Sequence, residues 1–211
     1  MPNHCENYLE VEGPASDVRR FEEAIRDQVT DDVRIVNLMP MPEILEGTKS
    51  PSPKSEQFDE DGKYMEWVNN PTNENWNMDK YNKAKAIHAE EWAAGIEARE
   101  TTGFSDWYSW AISDENWGTK WGDYETHLDS YYDDERGQID GRFETAWSPL
   151  SNSFWEHVSK QFPTLKISVS FREEGMCFEG GQAYFAGECH YDETSELSAH
   201  HSSARGALAN L

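Results

Sequence analysis

The sequence predicts an α+β fold, an antiparallel or mixed sheet with helices on one face and a helical region inserted between its strands. Three observations carry that expectation. Short period-two apolar alternations occur near both ends of the chain, stripes at helical spacing follow two of them, and a long central segment keeps neither rhythm.

From Asn7 to Glu12, Leu9 and Val11 alternate with Tyr8, Glu10 and Glu12, which predicts a half-buried strand ended by Gly13-Pro14. Ser16 as cap and Asp17 in the first turn then open a helix whose Val18, Phe21, Ala24, Ile25 and Gln28 share one face. Val33 to Leu38 reads as a second strand, stopped by Met39-Pro40-Met41-Pro42 because proline removes ladder donors.

The rhythm breaks after Pro42. Lys49 to Glu60, polar and holding Pro51 and Pro53, is expected as a surface loop. Asn77 to Arg99 carries Tyr81, Ala84, His88, Trp92 and Ile96 as a helical stripe, and Phe104 to Ile112 is expected as a short helix capped by Thr102 or Ser105.

Strands then return. Glu125 to Tyr132 and Arg142 to Trp147 form a hairpin about the turn at Asp133 to Gly137. Ser148-Pro149 opens a helix with Leu150, Phe154, Val158 and Phe162 buried, ended by Pro163. Ile167, Val169 and Phe171 mark another strand, and Ala183 to Cys189 one more. The expected organisation is one domain over 1–191 with an inserted helical region at about 43–112, followed by a flexible Ser-, Ala- and His-rich tail at 192–211. Helix placement on one sheet face suits a ferredoxin-like split βαβ.

The 211 residues suffice for one sizeable core, burying roughly 70% of the unfolded surface. Formal charge is −23, from 41 acidic and 18 basic side chains, yet aromatic residues make up 13% and supply the apolar area a core needs. That charge opposes direct binding of nucleic acid and of anionic membrane surfaces. Cys5, Cys177 and Cys189 lack CxxC spacing and read as free thiols of a reducing compartment. With neither a signal peptide nor a membrane-spanning stretch recognised, a cytoplasmic location is expected.

Four segments carry a resemblance: Met1-Pro2-Asn3-His4-Cys5-Glu6-Asn7, Met39-Pro40-Met41-Pro42-Glu43, Asn116 to Trp121, and Thr145-Ala146-Trp147-Ser148-Pro149. In this order they resemble the Api92-like family, which includes plasmid proteins termed YubB-like. The resemblance covers most of the chain outside residues 47–100 and the tail, and Leu150 stands where a second proline is usual. It implies a ferredoxin-like domain encoded on phages, plasmids or integrated elements, located in the host cytosol. It carries over no catalytic residue.

The hexapeptide Asn116-Trp117-Gly118-Thr119-Lys120-Trp121 is the most distinctive motif. Gly118 permits a tight turn, Trp117 or Trp121 offers a stacking plate, and Lys120 offers a phosphate or carboxylate contact. Packing of Trp107, Trp110, Trp117, Trp121 and Trp147 as an aromatic corner is the plainer account. Arg142, Lys166 and Arg172 alternate away from the apolar faces and read as a candidate anion site on the open side of the sheet, or as ordinary surface cations. His88 with Glu91, the His200-His201 pair and Asp133-Asp134-Glu135 lack the spacing of a metal site.

No GxSxG, P-loop or GxGxxG occurs. His4 and Cys5 point to opposite faces of a strand, and His127 near Asp129 reads as a solvated pair. No catalytic residue, metal or cofactor is therefore expected. The leading expectation is a non-enzymatic accessory protein that sequesters a small anionic, nucleotide-derived ligand in counter-defence, through Trp117, Lys120, Trp121, Arg142, Trp147, Lys166 and Arg172. The alternative is an acidic protein-interaction module that mimics nucleic acid and inhibits a host defence or DNA-binding protein. Homo-oligomerisation is left open.

Overall fold

A computed structural model describes residues 3–27, 30–50 and 78–197. Its contacts divide the chain into two compact units, Met1–Pro40 with Ala111–Leu211, and Met41–Trp110.

The first unit is built on strand β1 (His4–Pro14), whose residues alternate between buried and exposed. Cys5, Asn7, Leu9 and Val11 point to one side, and helix α1 (Ala15–Ile25) lays Val18, Phe21 and Ile25 on that side. Strands β2 (Tyr124–Tyr132), β3 (Arg136–Ala146), β4 (Lys166–Glu173), β5 (Phe178–Phe185) and β6 (Glu188–Glu196) complete a sheet of order β2-β3-β1-β4-β5-β6. All neighbours are antiparallel. The first four strands in this order, with α1 and α5 (Asn152–Gln161), are the ferredoxin-like arrangement, and β5 and β6 extend it past β4. Helix α5 rests Phe154, Trp155 and Val158 on the face that α1 covers, with Phe21 edge-on to Phe162 and Trp155 against Phe143. Among the described residues, no helix of this unit covers the opposite face.

Several elements differ from the sequence reading, each for a local reason. Val33 to Leu38 is no strand: Ile35–Leu38 forms a 3-10 turn, and only Val33 bridges, to Arg26. Ile35 and Val36 are both buried, which period-two alternation forbids, and Asn37 donates to the Ile25 carbonyl at 3.1 Å. The second strand of the split unit is β2 instead. Helix α1 starts at Ala15 behind Pro14, without Ser16 as cap. Helix α5 starts at Asn152, because Ser151 Oγ accepts the Phe154 N–H at 3.0 Å. Asp192 to Glu196, read as the start of a tail, pair with β5 as part of β6. Gln28, residues 51–77 and residues 198–211 lie outside the described residues, and with them most of the expected loop and tail.

The second unit holds α2 (Glu43–Glu46), α3 (Met78–Thr102) and most of α4 (Trp107–Ala111). Thr48 Oγ1 accepts the Trp107 N–H at 2.9 Å, and Lys49 and His88 each meet Glu91 at 3.1 Å. Ile96 stands exposed while Gly95 and Ala98 are buried, so the stripe expected along α3 does not hold at Ile96. The cap of α4 is Asp106, which accepts the Ser109 N–H at 2.8 Å, rather than Thr102 or Ser105. No described helix is long and apolar enough to cross a membrane.

Burial sets the behaviour of the thiols. Desolvation pushes the Cys5 thiol up to about 12, from 9.0, with the Glu173 carboxylate adding to it. The unfolded chain ionises first, so this contribution to stability is whole below pH 9 and is lost as pH rises towards 12, a loss on the order of 4 kcal/mol. Burial also raises Cys189, whereas Cys177 is exposed. Alkylation at pH 8 followed by mass spectrometry is therefore expected to label Cys177 first and Cys5 only after unfolding.

Candidate functional site

The hexapeptide folds back on itself because the Ser113 carbonyl accepts the N–H groups of Asn116 at 2.9 Å and Gly118 at 3.0 Å. Gly118 has φ +73°, and a Cβ there would lie 3.0 Å from Cβ of Ser151, so the position takes glycine on both counts. The turn is fastened to the segment after β3. Thr119 Oγ1 donates to the Ala146 carbonyl at 2.7 Å, Ser148 Oγ to Gly118 at 2.8 Å, and Ser151 Oγ to Asn116 at 2.5 Å. Two motifs thirty residues apart thus become one corner.

That corner sorts the tryptophans. Trp117 is 8% exposed and donates its Nε1–H to the Met39 carbonyl at 2.8 Å, so it packs. Trp121 is 41% exposed and stacks on Trp147 at 6.4 Å between ring centroids and 24° between planes. Lys120 Nζ lies 4.7 Å from the Trp121 centroid and 5.9 Å from that of Trp147. Arg34 donates to the Trp121 carbonyl at 3.1 Å. Trp147 has φ +68°, a conformation a bulky side chain adopts at a cost of about 1–3 kcal/mol, and its N–H donates to the Asn3 carbonyl at 3.0 Å.

The corner continues into the strand ends. Tyr124 meets Trp121 edge-on at 6.5 Å, and its hydroxyl lies 3.0 Å from His4 Nδ1, which is 2.9 Å from Glu144 Oε2. Burial, and then the Glu144 carboxylate, push the Tyr124 phenol up to about 12. A neutral phenol, an imidazole, an ammonium and two indoles therefore meet at one end of the sheet. His4 is exposed and Cys5 is buried on the opposite side, so they form no dyad.

The predicted cations do not gather at this corner. Arg142 lies mid-sheet, opposite Tyr8 on β1 and His127 on β2. Lys166 and Arg172 share its face but stand six residues apart on β4, roughly 20 Å along the strand, and Arg172 pairs with Glu174 at 3.4 Å. Arg142 lines a depression of about 540 Å³ with Tyr8, Glu10, His127, Asp129, Asp140, Ser168 and Ser170. Ser168 and the aligned carboxylates were missed in the sequence, since only strand register brings them together. Among the described residues no group of three His, Cys, Asp or Glu side chains is placed to hold a metal ion.

Residues 117–207 match the family model described as a ferredoxin-like domain in Api92-like protein. This stretch is similar to the ferredoxin-like domain of Api92-like proteins. The Api92-like match opens at the hexapeptide and takes in β2 to β6 with α5, while β1 and α1 precede it. A crystal structure of a protein Api92 from Yersinia pseudotuberculosis is similar at 12% identity and a TM-score of 0.48, covering 95% of this chain and 99% of that one. No curated protein matches the chain.

Proposed function

We propose that the protein is a non-enzymatic accessory protein of a phage or plasmid that binds a small anionic, nucleotide-derived ligand at the Trp121–Lys120–Trp147 corner, as a counter-defence device. One observation carries this reading: an exposed indole is backed by a second, with an ammonium above both, in a chain of charge −23. A planar base gains roughly 1–3 kcal/mol by stacking on such a plate, and Lys120 is placed to meet a phosphate beside it. The strained backbone of Trp147 supports the same reading, because strain collects where a ring must be held for a purpose other than packing. The phage or plasmid setting and the counter-defence role extend what the Api92-like resemblance implies.

Titration calorimetry with cyclic dinucleotides and ADP-ribose derivatives tests the reading. Lys120→Ala is expected to weaken binding about ten- to a hundredfold, through loss of a charge-assisted contact worth roughly 1.5–3 kcal/mol. Its stability should stay within about 1 kcal/mol of the parent. If the parent binds none of these probes, or Lys120→Ala unfolds far below it, the corner is packing and the reading fails.

A further inference from the structure

The Trp121 corner has a polar margin that the stacking plate itself does not use. Tyr124 stands edge-on to Trp121 at 6.5 Å, beside the plate rather than on it. Its partner across the β2–β3 ladder is Glu144, and both side chains meet His4. An ionised carboxylate oxygen 2.9 Å from His4 Nδ1 places the ring proton on that nitrogen, a tautomer assigned from its partners. The Tyr124 oxygen, 3.0 Å from the same nitrogen, therefore accepts there, and its own hydrogen is turned away from the imidazole. With its phenol pushed up to about 12, Tyr124 keeps that hydrogen at neutral pH.

His4 engages only Oε2 of Glu144. The other oxygen, Oε1, makes no hydrogen bond among the described residues, on a side chain 34% exposed. Glu144 is also a wall of a recess of about 220 Å³, shared with Glu6, Tyr8, Glu125, His127 and Arg142. Next to an aromatic plate the corner thus sets out one O–H donor, one carboxylate acceptor and a recess that adjoins the acceptor. Three carboxylates against one guanidinium make that recess unfavourable for a phosphate. Hydroxyl groups suit it, since a hydroxyl can donate to a carboxylate and accept from a phenol.

We infer that the ligand of this corner is a ribonucleotide with unesterified sugar hydroxyls, its base stacked on Trp121, its 2′,3′-diol held by Glu144 and Tyr124, and its phosphate towards Lys120. The inference rests on nucleotide stacking at this corner as proposed, and adds which nucleotides are taken. A vicinal diol matches the margin in number and polarity: one hydroxyl donates to Glu144 Oε1 and its neighbour accepts from the Tyr124 hydroxyl. Lys120 Nζ lies over the plate, 4.7 Å from the Trp121 centroid, so the phosphate end is drawn to the ammonium and kept away from the carboxylates. A sugar lacking both hydroxyls leaves the phenol and the carboxylate unpaired on binding, which is how a polar site rejects an analogue.

Titration calorimetry with adenosine, guanosine, cytidine and uridine 5′-monophosphates and their 2′,3′-dideoxy counterparts is the test. The parent is expected to bind at least one ribonucleotide, about tenfold or more tighter than its dideoxy form. Tyr124→Phe and Glu144→Ala should each weaken the ribonucleotide about tenfold and leave the dideoxy form within about threefold, which separates loss of the diol contact from loss of fold. Lys120→Ala should weaken both forms alike and preserve their ratio. Equal binding of the two forms by the parent, with both still sensitive to Lys120→Ala, would overturn the inference and leave nucleotide stacking at the corner standing. A parent ratio that survives in Tyr124→Phe and Glu144→Ala would overturn it too, because the diol would then be read elsewhere. Binding of no monophosphate at all would also overturn it, and the stacking reading falls with it only if cyclic dinucleotides and ADP-ribose derivatives fail as well.

Discussion

Asp123→Ala is expected to destabilise the first unit by about 3–5 kcal/mol, since it orphans buried donors and removes a buried charge together. Asp123 is fully buried. Its Oδ1 accepts the Val36 N–H at 2.9 Å, its Oδ2 accepts the Thr126 hydroxyl at 2.6 Å, and Arg34 Nε approaches Oδ1 at 3.8 Å. The side chain thereby ties the 3-10 turn to the start of β2. Gly122 permits this closeness, having φ +66° and a position where a Cβ would lie 2.6 Å from Val36 Cγ1. Asp123→Asn keeps one acceptor oxygen and should lose less. Urea denaturation of both variants measures the difference, and an unchanged midpoint for Asp123→Ala would show the link to be dispensable. Because Arg34 also holds the Trp121 carbonyl, the alanine variant should weaken ligand binding even where it remains folded.

Trp155→Ala should cost a comparable 3–5 kcal/mol, about the range for emptying a large buried aromatic site. Trp155 is fully buried between the sheet and α5, 5.1 Å from the Phe154 ring and 6.5 Å from that of Phe143. For a chain of this length such a loss lowers the melting temperature by roughly 6–20 °C. The indole Nε1 has no hydrogen-bond partner among the described residues. Trp155→Phe therefore removes an unsatisfied donor worth about 1–3 kcal/mol along with part of the ring, and should melt close to the parent. A Phe variant as unstable as the Ala variant would mean that volume alone governs the site.

These two residues mark what was legible in the sequence. Trp155 falls within a helix whose apolar stripe was readable, as were β1, β4 and the β2–β3 hairpin, because alternation and helical spacing are local signals. Asp123 was invisible, since its partners lie on a segment read as a strand. Four apolar residues among six, Val33, Ile35, Val36 and Leu38, fit a strand and a tight turn alike, and only the buried carboxylate 87 positions after Val36 decides between them. The corner was half legible. Trp121 and Lys120 stood out, but Trp147 became their neighbour through Thr119 and Ser148, hydroxyls with no signature in a sequence. Arg142, Lys166 and Arg172 were correctly assigned to one face, while their spread along it depends on register.

The extension of the sheet by β5 and β6 has a bearing on how neighbours are met. It moves the free rim from β4 to β6, which bears Glu188, Asp192, Glu193 and Glu196 within nine residues. At the other rim, β2 shifts register between Tyr124 and His127, and Glu125 bends out with φ +48°. Charge at one margin and a kink at the other are the features that discourage a further strand from adding on. Both described rims therefore oppose growth of the sheet from chain to chain.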